Sequence, residues 1–63
     1  MMDERAKMTP DEYRHIRREL GLTQAQLAAR LGVATNTIAR RERGEQPIDR
    51  EAALALRSLT THR

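Results

Sequence analysis

Thr35, Asn36, Ala39, Arg40 and Arg43 follow one another at alternating spacings of one and three residues. On a helix, with 3.6 residues per turn, these five side chains cover one continuous arc of about 140°. The arc carries the chemistry that reads base edges in the major groove of a duplex. Asn36 can pair bidentately with adenine N6 and N7, and Arg40 with guanine O6 and N7. The Thr35 hydroxyl can donate or accept, and the methyl groups of Thr35 and Ala39 can meet a thymine methyl. Thr37 and Arg43 are candidates for contacts to phosphate. Ile38 falls outside the arc, on the side that would face a core.

Residues 23–44 must position this arc, and they read as two short helices joined by a tight turn. Thr23 is an N-cap, and Gln26 stands three residues on, the spacing of a capping box. Leu27 and Leu31 share a face, with Ala28 beside them. Gly32 can take a positive φ without steric cost, so the helix can stop there. Val33 is the apolar residue of the turn. A second helix is expected over 35–43, ended by Gly44. Two helices at a sharp angle around a short glycine-containing turn form a helix-turn-helix.

The stretch TQAQLAARLGV followed by NTIARRERG resembles the lambda-repressor-like helix-turn-helix family, the Cro/Xre type of phage and bacterial regulators. The resemblance covers roughly residues 10–59. It implies a compact all-α domain of four helices, with the motif at helices 2 and 3 and the third helix in the major groove. It makes Leu27, Leu31, Val33 and Ile38 buried positions, Ala28 the small residue where the two helices approach, and Gly32 the turn glycine. The positions matching Thr35, Asn36 and Arg40 are the family's usual base readers. Gln24 matches a position that binds phosphate, where the helix N-terminus adds oriented N–H groups. An arginine and a glutamate matching Arg17 and Glu42 form a structural ion pair between the first and third helices. Two residues depart from the family pattern. Ala34 replaces a capping Ser or Thr, which costs about 1 kcal/mol unless Thr35 takes over the cap and the helix starts one residue later. Arg41 replaces an apolar residue; its stem can pack while its head reaches solvent, the last carbonyls of the helix, or Glu45.

The flanking segments fit the same division. A first helix is expected over 9–20, with Thr9 as N-cap, Pro10 at the first helical position and Glu12 closing a capping box. Tyr13, Ile16 and Leu20 share its inner face; Arg17 lies just beside that face, Arg14 and Arg18 on the outer side. A partly buried Arg17 needs a partner, and Glu42 is the candidate, the alternative being that both are solvated. A fourth helix is expected over about 48–60, started by Pro47 or Asp49. Its inward stripe is Ala52, Leu56 and Leu59, with Ile48 joining them, while Leu54 points outward, either as an ordinary exposed leucine or as a dimer contact. The three glycines, Gly21, Gly32 and Gly44, each fall at a helix end. Residues 1–8, MMDERAKM, read as a flexible tail whose Arg5 and Lys7 are at most backbone contacts, and 61–63 as a short C-terminal tail.

Composition narrows the function. A 63-residue chain is one domain, marginal on its own. Without cysteine it has neither disulfides nor thiolate metal sites, and His15 and His62 are too far apart in sequence to suggest zinc. Oligomerisation remains as the stabilising aid. Tyr13 is the single aromatic, which disfavours the stacking platforms of single-strand binders. The net charge of +3 is compatible with a polyanion. No apolar run reaches membrane length, and the polar N-terminus is no signal peptide, so a cytoplasmic protein is expected. No catalytic constellation, phosphate loop or cofactor motif stands out. The expectation is a non-enzymatic, sequence-specific double-stranded DNA-binding regulator without cofactor or metal, acting as a homodimeric repressor on a pseudo-palindromic operator. The alternative is an antitoxin-type or other protein-interaction module on the same fold, with a toxin or polymerase as protein partner.

Overall fold

The computed structural model describes residues 8–60, which form four helices: α1 (Pro10–Glu19), α2 (Gln24–Leu31), α3 (Thr35–Arg43) and α4 (Arg50–Thr60). Arg5 and Lys7, the rest of the N-terminal tail before Met8, and residues 61–63 with His62 lie outside the described residues. No helix among the described residues is long and apolar enough to cross a membrane.

Local chemistry sets the helix boundaries. At the head of α1 the Glu12 N–H donates to Thr9 Oγ1 at 3.1 Å, and the Thr9 N–H donates to Glu12 Oε1 at 2.9 Å. Thr23 and Gln26 repeat the exchange at α2, at 3.1 and 2.9 Å. Each box satisfies two N–H groups that a helix start otherwise leaves open. Gly32 ends α2 at φ 72°, and Gly44 ends α3 at φ 79°. Side chains rarely adopt this left-handed region, so the two positions call for glycine. At α4 the Ala52 N–H donates to Asp49 Oδ1 at 2.8 Å. Asp49 is therefore the cap, and the helix begins at Arg50, two residues after the expected Ile48.

The core lies where the four helices meet. Tyr13, Leu27, Ile38 and Leu56 are fully buried at its centre. Ala28, Ile48, Ala52 and Ala53 complete it, and Ile16, Leu20, Leu22, Leu31, Val33 and Leu59 pack around it. Ala28 is buried, and α2 packs against α3. Two members were not expected there. Ala53 is buried beside Ala52 because α4 presents both to the core. Met8 is also buried, although it falls in the stretch assigned to a flexible tail. The core thus takes in the residue ahead of the Thr9 cap. Leu54 is 54% exposed, on the opposite side of α4.

Candidate nucleic-acid interface

α3 has two unlike sides. Thr35, Asn36, Arg40 and Arg43 are exposed and Ala39 is half-buried along the predicted arc. Ile38 and Glu42, on the other side, are buried. Thr37 is half-buried. The arc therefore faces solvent, and the helix is held to the domain from behind. Ala34 occupies the N-cap in an extended conformation and makes no side-chain cap bond. Thr35 is the first helical residue, so the alternative in which it caps a helix shortened by one residue does not hold. Its hydroxyl stays on the exposed arc.

Glu42 anchors the buried side. It is 4% exposed and gathers donors from two other helices. From α1, Arg17 Nε donates to Oε2 at 2.6 Å and Arg17 Nη2 donates to Oε1 at 3.0 Å. From α2, Gln24 Nε2 donates to Oε1 at 3.1 Å. Arg17 Nη1 also donates to the Leu22 carbonyl at 2.9 Å, tying the α1–α2 turn to the same guanidinium. Burial pushes the Glu42 carboxyl up. Hydrogen bonds from Arg17 and Gln24 and the charges of Arg17 and Arg14 together outweigh it, so the group is held below its ordinary value. Arg17 is raised by its hydrogen bond to Glu42, against an opposing effect of burial. The residues expected to pair are thus brought together, within a larger network.

Two members of that network were assigned differently from sequence. Arg14, expected on the outer side of α1, is half-buried: its Nη2 donates to the Glu42 carbonyl at 2.8 Å, and its Nε stands 3.7 Å from Glu42 Oε1. The signal was the i,i+3 relation of Arg14 to Arg17, which places them on neighbouring parts of one face. Gln24, expected at phosphate, spends one amide hydrogen on Glu42. The second amide hydrogen, and the open N–H groups at the head of α2, remain available to an anion.

Arg41 reaches neither solvent-side carbonyls nor Glu45. Its guanidinium carbon lies 5.8 Å from the centre of the Tyr13 ring, and its Nη1 donates to the Tyr13 hydroxyl at 3.1 Å. Its Nε is buried without a hydrogen-bond partner. The arginine thus fills an apolar position by lying over an aromatic face. Glu45 is engaged instead by Arg43, through Nε and Nη2, both at 3.0 Å.

The arrangement is an exposed helix face of amide, hydroxyl and guanidinium groups, tied to α1 and to the head of α2 through Glu42 on its buried side. The sequence model described as helix-turn-helix matches residues 14–59, most of the chain. No curated protein sequence matches the chain.

Proposed function

The chain belongs to the Cro/C1-type helix-turn-helix family of DNA-binding regulators, and from that premise we propose that it is a sequence-specific repressor acting as a homodimer on a pseudo-palindromic operator. The observation that carries this reading is the division of α3: Asn36 and Arg40 stand exposed one turn apart, while Ile38 and Glu42 fix the opposite side. In this reading α3 enters the major groove. Thr35, Asn36, Ala39 and Arg40 face the bases, and Gln24, Thr37 and Arg43 face phosphates. The Arg17–Glu42 pair sets the angle of α3 to α1. Leu54 supports a second copy docking along α4, because it is a large apolar side chain facing solvent. Repression then acts by occupying the promoter.

Selection from a random double-stranded library at near-physiological salt tests the proposal. The expected result is an enriched pseudo-palindrome with half-sites about 10 base pairs apart, the spacing that places two recognition helices one turn of the duplex from each other. Enrichment of a single half-site would remove the dimer. Absence of enrichment, with only weak salt-sensitive binding, would transfer the function to a protein partner.

A further inference from the structure

The loop after α3 returns a carboxylate to the arginines of that helix. The Glu45 N–H donates to the Arg40 carbonyl at 2.9 Å, and the Gly44 N–H to the Arg41 carbonyl at 3.3 Å. Glu45 is thus fixed to the end of α3 by its backbone. Its side chain meets Arg43 in a fork, with one carboxylate oxygen on Nε and the other on Nη2. The same two-point geometry lets a guanidinium take two oxygens of a phosphate. Both side chains are about half exposed, 54% for Arg43 and 55% for Glu45, so the pair sits on the surface rather than in the core. The hydrogen bonds and then the charge of Arg43 hold the Glu45 carboxyl below its ordinary value, and the charge of Arg40 adds to this. The carboxylate is therefore ionised at neutral pH and lies within the field of two arc arginines.

We propose that Glu45 is an internal stand-in for a DNA phosphate, occupying Arg43 in the free protein so that a duplex gains this cation only by displacing it. The inference rests on the DNA-binding reading above. Phosphate neutralisation supplies essentially all of the affinity for DNA of arbitrary sequence. A fork already filled by Glu45 adds little to it, and the carboxylate itself repels the backbone. The device lowers retention on random DNA while leaving Thr35, Asn36 and Arg40 unobstructed.

The test measures binding of the full chain to a random-sequence duplex across a salt series, for the parent protein, Glu45→Gln, Arg43→Ala and the double variant, with helix content checked by circular dichroism. Glu45→Gln should bind about two- to fivefold more tightly at low salt, the range set by an exposed ion pair. Its salt slope should steepen by about 0.9, one further phosphate contact. In the Arg43→Ala background the same substitution should give markedly less, because the effect runs through Arg43. An equal gain in both backgrounds would reduce Glu45 to one negative charge among others and overturn the proposal, as would no gain at all. If the parent selects a site and Glu45→Gln changes nothing, this inference fails and the DNA-binding reading stands. If neither protein binds duplex at any salt, the DNA-binding reading fails and takes this inference with it.

Discussion

Arg17 and Glu42 stand 25 positions apart and meet as a two-point ion pair, Nε on Oε2 at 2.6 Å and Nη2 on Oε1 at 3.0 Å. Their side chains are only 11% and 3% exposed. Arg17→Ala should therefore leave a buried carboxylate without its principal donors, at a cost of about 3–5 kcal/mol. For a small domain this is a large share of a total of about 5–15 kcal/mol. Urea unfolding followed by circular dichroism measures it, and a loss below about 1 kcal/mol would show that Arg14 and Gln24 suffice for Glu42.

The same carboxylate links stability to acid. Its value in the folded state lies below the ordinary 4.5, so the unfolded chain takes up the proton first as pH falls. The stabilisation is complete above the unfolded value and is lost as pH drops through the folded one. Glu42→Gln should be less stable than the parent at neutral pH, and the gap should narrow on acidification below about 4.5. Glu45→Gln, at an exposed site, should show little of this. A gap that stays constant with pH would locate the titrating group elsewhere.

Ala34 leaves α3 without a side-chain cap. Ala34→Ser should stabilise the domain by about 1 kcal/mol, and Asp49→Ala, which removes the α4 cap, should destabilise it by a similar amount. In a domain of this size each corresponds to a melting shift of about 4–8 °C. Unchanged melting of Ala34→Ser would mean that the serine hydroxyl does not reach the N–H groups of the first turn.

Arg41 and Tyr13 form a polar pair inside an apolar setting, with the arginine Nε unpartnered. Arg41→Leu removes that orphan donor but also takes the donor from a buried phenol. The combination with Tyr13→Phe removes both polar groups together, which is close to neutral or stabilising. The double variant should therefore be more stable than Arg41→Leu alone and at least match the parent. Thermal melts of the three proteins decide it; a double variant weaker than the parent would show that the ring contact outweighs the orphan.

Arg40→Ala and Gln24→Ala should separate reading from holding. Loss of Arg40 should cost about 1–3 kcal/mol on the selected site and relax one base position. Loss of Gln24 should weaken all sequences alike. Competition assays with single-base variants of the selected site measure both, and an Arg40→Ala protein with unchanged preference would remove Arg40 from the base readers.

The bounds of α2 and α3 follow from Thr23, Gln26, Gly32 and Gly44, whose effects reach only three or four residues along the chain. The α4 start was less sharply marked, because Pro47, Ile48 and Asp49 are all acceptable there, and only the Asp49–Ala52 hydrogen bond distinguishes them. Arg14, Gln24, Arg41 and Met8 belong to another category. Their partners come from elsewhere in the chain or from the assembled core, and the angle at which α1 crosses α3 decides whether Arg14 faces water or the Glu42 carbonyl. Periodicity fixes the face of a side chain on its own helix but not the neighbour that the packing brings there. The exposed arc needed no such information, since it is defined by the side of α3 that the core does not take.

The bare N-cap of α3 bears on the order in which the domain loosens. α1 and α2 each carry a closed capping box, whereas α3 begins at Ala34 with neither a capping side chain nor an acidic residue in its first turn. Its last turn is better held, by Arg40, Arg41 and Arg43 against the dipole and by Gly44 closing the end. Fraying should therefore enter α3 from the Thr35–Asn36 end, and amide hydrogens there should exchange with solvent sooner than those near Glu42. On the proposed reading, the part of the helix that carries Thr35 and Asn36 should be the least protected, and a bound duplex should slow its exchange most.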